Sequence, residues 1–135
     1  MATVSPSWNY TLHLPRDPRA PGVARATLRT VLAAHDLTRH APTAELLASE
    51  LLTNAHAHTQ GPYALRIRPM ERDRLMVAVW DADPRVPDAF KEGAPLVVAE
   101  QDDEHGRGLH LVRACADAWG VSGASEGGKL LWAVV

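Results

Sequence analysis

Residues 74–81, RLMVAVWD, are apolar from Leu75 through Trp80, whichever way the alternation is counted. A strand with one face in water alternates apolar with polar; one that is apolar on both faces needs neighbours on either side and cover above and below. The segment ALRIRP (64–69) precedes it across the polar turn Glu71-Arg72-Asp73, so the two predict a hairpin whose second strand is central in a sheet. The remaining segments supply what such a sheet needs. WNYTLHL (8–14) alternates Trp8, Tyr10, Leu12 and Leu14 with polar residues, predicting a half-buried strand ended by Pro15 and Pro18. Residues 20–35 carry Val23, Leu28, Val31 and Leu32 at helical spacing, and a second helix is expected from about Ala41 to His58, with Pro42 in its first turn and Gly61-Pro62 closing it. GRGLHLVRACADAW (106–119) predicts a third helix opening on two glycines, and GVSGASEGGKLLWAVV a closing hairpin. The order β-α-α-β-β-loop-α-β-β predicts an α/β (α+β) two-layer sandwich: a mixed, mostly antiparallel sheet covered on one face by about three helices, in one domain over residues 1–135.

Charge and composition narrow the function. A formal charge of −2 with no cluster of Lys and Arg argues against direct nucleic-acid binding. Cys115 is the only cysteine, which excludes an intramolecular disulfide and a cysteine-based zinc site. The N-terminal stretch has neither a charged n-region nor an apolar h-region, and no run approaches the roughly 18 apolar residues of a membrane span. The expected setting is a reducing cytoplasm, with no membrane contact.

Three local features then align. Glu50 and Asn54, four apart on the second helix, point the same way. With Glu50 at zero on the helical wheel, Ala44, Leu47, Ala48, Leu51, Leu52 and Ala55 fall between about 60° and 200°, while Asn54 lies near 40° and His58 near 80°. These polar groups crowd one shoulder of the buried face, where burial without a partner is costly; a ligand or metal would resolve that cost. Asp81 ends the central strand, and Gly106-Arg107-Gly108-Leu109 opens a helix after a long loop with three prolines (82–105). Each feature by itself has an ordinary reading: a solvated helix face, a turn-forming aspartate, glycines serving a turn. His56 and His58 are two apart on a helix, about 200° around it, and cannot chelate one metal together. Ser49 lacks the G-x-S-x-G elbow of a serine hydrolase.

Taken in order, these segments resemble the motifs of the GHKL ATPase superfamily, which joins gyrase, a heat-shock chaperone, histidine kinases and a mismatch-repair protein. ELLTNAHAHT (50–59) is similar to its N-box, VAVWDADP (77–84) to its first glycine or adenine box, and GRGLHL (106–111) to its second glycine box. SELLTNA, GRGLHLV and ADAWG, with Ala116, Asp117, Trp119 and Gly120, further resemble the small stand-alone branch of anti-sigma-factor serine/threonine kinases. The resemblance implies a Bergerat-type fold with ATP and Mg²⁺ as cofactors. It makes Asn54 the Mg²⁺ ligand, Glu50 the group that orients or deprotonates the nucleophile, and His58 a residue at the pocket edge. It also makes Asp81 the acceptor of the adenine amine, favouring adenine over guanine. Gly106 and Gly108 become the points where backbone amides approach phosphate, Arg107 a side chain that reaches phosphate or points to solvent, and Leu109 the end of the G-x-G-L motif. Residues 84–105 become the ATP lid. The implied partners are an anti-anti-sigma protein of the STAS type and/or a sigma factor, with a homodimer allowed; the alternative is a non-catalytic module that sequesters such a regulator. Two positions depart from the family pattern: Asp83 stands where its first glycine is expected, and Gly128-Lys129-Leu130 fills the region where a threonine is expected.

Overall fold

A computed structural model describes residues 8–96, 107–123 and 127–135. The elements run β1 (Tyr10–Leu14), α1 (Ala20–Ala34), α2 (Ala41–His58), β2 (Tyr63–Met70), β3 (Arg74–Asp81), α3 (Arg107–Cys115), β4 (Ala118–Ser122) and β5 (Lys129–Val134), with short 3₁₀ turns at Thr38–His40 and Asp88–Phe90. One five-stranded sheet has the order β1-β2-β3-β5-β4. Every pairing in it is antiparallel, so the mixed sheet expected from the sequence contains no parallel pair among the described residues. β3 is the middle strand, as its two apolar faces require.

Period-two alternation sorts the strand residues between the two faces. Leu65 and Ile67 of β2, Leu75, Val77 and Val79 of β3, and Leu131 and Ala133 of β5 join the helices in one core. From α2 the residues Leu47, Ala48, Leu51 and Leu52 enter that core at 0% exposure, the stripe the wheel predicted. The opposite face of the sheet has no helix over it among the described residues; two tryptophan rings lie close to glycines there instead. A Cβ on Gly120 would come 2.5 Å from the Trp132 ring, and one on Gly128 would come 2.8 Å from Nε1 of Trp80. The hairpin turn places Arg72 and Asp73 at φ 62° and 58°, the left-handed pair that turns an antiparallel ribbon back on itself.

The third helix is shorter than its pattern. It ends at Cys115, and Ala118 and Trp119, expected in the helix, belong to β4. The cause is pairing: Asp117 N–H donates to Val134 O (2.8 Å) and Ala118 pairs with Val134, so β5 captures this backbone before another helical turn forms. Tyr10 is exposed at the sheet edge, where its hydroxyl meets Nε2 of His35 (2.9 Å) and the His35 ring stacks on Trp8. No helix among the described residues is long and apolar enough to cross a membrane.

Candidate functional site

The start of β5, one shoulder of α2, the start of α3 and the loop after β3 converge on a cleft of about 450 Å³, and Asp81, at the end of β3, reaches its wall only through Asp83 and Lys129. α2 lends it Asn54 and His58, and α3 lends Leu109 and His110. The loop supplies Asp83 and the run Arg85 to Ala89, and β5 supplies Lys129. His58 thus lies on the cleft wall. Leu109 both lines the cleft and fills the core at 2% exposure.

Glu50 sits one turn before Asn54, and its carboxylate presses on the first turn of α3. A Cβ built on Gly108 would overlap Oε2 of Glu50 and lie 3.0 Å from its Cδ. Glycine at 108 is therefore what lets α3 approach α2 closely enough for that carboxylate to sit at a helix N-terminus. Asn54 lines the cleft and Glu50, one turn earlier, does not. Gly106 lies outside the described residues, as do residues 97–105 of the expected lid; Arg107 is the first residue of α3.

Asp81 is the most buried charged group of the site, at 1% exposure. Its Oδ1 accepts from Lys129 Nζ at 2.8 Å and from the Asp83 N–H at 2.9 Å. Its Oδ2 is buried and has no hydrogen-bond partner among the described residues. The lysine is placed by register: Asp81 and Lys129 are directly opposite each other across β3 and β5. Lys129 is itself 3% exposed, and its Nζ also donates to Asp83 O at 2.7 Å.

Asp83, which brings a charge to the expected adenine site, turns that charge aside. Its carboxylate accepts Arg85 Nη2 at 2.8 Å, Arg85 Nε at 3.1 Å and the Arg85 N–H at 2.9 Å. The guanidinium and backbone donors of Arg85 hold the Asp83 carboxyl down at about 2. Its backbone keeps a second role, since its N–H and C=O bind Asp81 and Lys129.

The described part of the lid segment, 84–96, is an anchored loop. Ala89 and Phe90 are buried, and Arg113 Nη1 on α3 donates to Ala89 O (3.1 Å) and Pro95 O (3.3 Å). The Arg113 guanidinium lies 4.5 Å from the Trp119 ring centre, and Phe90 packs 4.9 Å from the same ring. Sequence reasoning missed Lys129 and Arg113 as site residues. The signal existed in both: Lys129 shares the inward phase of Leu131 and Ala133, and Arg113 follows Leu109 at i+4 on the buried side of α3. A charge in an apolar phase marks a partner elsewhere in the chain.

The comparisons fit this geometry. A family model described as a histidine kinase-like ATPase domain matches residues 14–135. No curated protein matches the chain.

Proposed function

The chain belongs to the family of histidine kinase-like ATPase domains, and from that premise we propose that its cleft binds Mg·ATP and that the protein is a serine/threonine kinase. Its substrate on this reading is a small anti-anti-sigma partner of the STAS type, and a sigma factor is a second protein it would hold. The observation that carries the nucleotide assignment is Asp81, a fully buried carboxylate whose Oδ2 lacks a donor, bonded to two residues of the cleft wall. An exocyclic amine is a donor of the kind that oxygen requires. For the metal, no group of three or more acidic, His or Cys ligands exists among the described residues. Asn54 offers a single hard amide oxygen at the cleft, which suits an ion that arrives with phosphate and keeps few protein ligands. The bound Mg·ATP would supply the electrophilic phosphoryl group. Glu50 accepts the proton of the attacking hydroxyl, and the amides and dipole at the start of α3 hold negative charge.

A second reading is a sequestering module in which nucleotide is vestigial. Two observations favour it: Lys129 already neutralises Asp81, and the Glu50 carboxylate already occupies the first turn of α3. Calorimetry with Mg·ATP and transfer of radiolabel to a cognate partner separate the two. The kinase reading expects micromolar binding, about −7 to −8 kcal/mol. It expects Asn54→Ala to weaken both binding and transfer, and Glu50→Gln to keep binding while slowing transfer by about 10²-fold or more. Equal transfer by wild type and Glu50→Gln removes Glu50 from the chemistry; absent transfer to a verified partner leaves the sequestering module.

A further inference from the structure

β5 begins with a lysine in the phase of its buried residues, and that lysine changes what Asp81 can recognise. Its ammonium has three N–H donors. Two are used, on Asp81 Oδ1 at 2.8 Å and on Asp83 O at 2.7 Å, and the third has no acceptor among the described residues. Lys129 lines the cleft, and Asp81 Oδ2 is buried without a donor. One acceptor short of a donor and one donor short of an acceptor are thus joined through Oδ1, the lysine on the cleft wall and the carboxylate bonded to it from the buried end of β3.

A carboxylate alone selects by repulsion: it accepts an amine and rejects a carbonyl oxygen, which is why Asp81 by itself favours adenine over guanine. An adjacent ammonium removes that repulsion and offers the carbonyl a charge-assisted bond. We propose that Lys129 is a specificity-determining residue that opens the base subsite to 6-oxopurines, so that the protein binds guanine as well as adenine nucleotides. The adenine edge presents its N6 amine to Asp81 Oδ2 and its N1 to Lys129. The guanine edge presents N1–H to Asp81 Oδ2 and O6 to Lys129. Each edge is one donor beside one acceptor, in opposite order, so guanine meets the Asp81–Lys129 pair with its ring turned over relative to adenine. The inference rests on the reading that this cleft takes a nucleoside triphosphate.

Calorimetric titration of the folded wild-type protein with Mg·ATP, Mg·GTP and Mg·ITP tests it. GTP is expected within about tenfold of ATP, and ITP, which keeps O6 and N1–H but lacks the 2-amine, beside GTP. Lys129→Met, checked for folding by circular dichroism, should widen the ATP preference over GTP at least about tenfold. The wild-type titrations decide the matter even where that variant does not fold. Binding of ATP with GTP and ITP about 100-fold weaker or worse overturns the inference and leaves the ATP reading intact. So does a folded Lys129→Met with an unchanged ratio. Failure of every nucleotide to bind overturns both.

Discussion

Asp81 and Lys129 form the one ion pair among the described residues with both side chains almost fully out of water, at 1% and 4% side-chain exposure. The attraction within such a pair is set against the desolvation of both charges, so its two halves are worth most to each other. Asp81→Leu or Lys129→Met alone should cost about 3–5 kcal/mol in equilibrium denaturation, because each strands the other charge. The double variant should cost clearly less than the sum, and simple additivity would show the two groups to be uncoupled. Asp83 behaves differently, since its partner Arg85 stands in solvent. Its folded-state carboxyl titrates at about 2 instead of the ordinary 3.8. A depressed carboxyl stabilises the folded state above the ordinary value, and that contribution is lost as the pH falls through about 2. Carboxyl carbon shifts followed from pH 6 downward, a range chosen to span about four units around these values, should show Asp83 ionised well below its neighbours. Arg85→Ala should return it toward the ordinary value, and an unmoved titration would rule out the guanidinium as the cause.

Among the elements, the approach of α3 to α2 is set at Gly108. Gly108→Ala places a methyl group into the Glu50 carboxylate, and the expected cost is about 1–3 kcal/mol of stability, as for an overpacked contact. In a Glu50→Ala background most of that cost should vanish; a penalty that persists there would belong to the helix itself. The same two helices show how local pattern reports an element and where it stops. α2 was legible to the residue at both ends because Pro42 and Gly61-Pro62 punctuate it, and punctuation is a property of the chain alone. α3 was read too long because nothing in Ala116-Asp117-Ala118-Trp119 forbids a helix. Its end is decided by Val134, which bonds the Asp117 amide and is reached only once the sheet has assembled.

For the molecule as a whole, the element order and the central place of β3 were legible because periods of two and 3.6 persist over each segment. That Glu50 and Asn54 share one face of α2 was legible for the same reason. The parts of the site that meet across the fold were not. Lys129 joins Asp81 from 48 residues away through the β3–β5 register, and Arg113 reaches the Ala89 carbonyl from 24 residues away. Those same long-range contacts sort the tryptophans. Trp80 and Trp132 lie against glycines on the outer face and Trp8 stacks on His35, while Trp119 packs with Phe90 and beneath Arg113, which ties down the loop of the cleft. The molecule thus carries one indole chromophore at the base of that loop, optically separable by subtracting the emission spectrum of Trp119→Phe. In Arg113→Ala that component should shift to longer wavelength and become open to collisional quenching by acrylamide, with the other three indoles unchanged. A spectrum identical to wild type would mean that Phe90 alone keeps the chromophore dry. With Arg113 in place, a change in this component on adding Mg·ATP would let the cleft be read by light, without label.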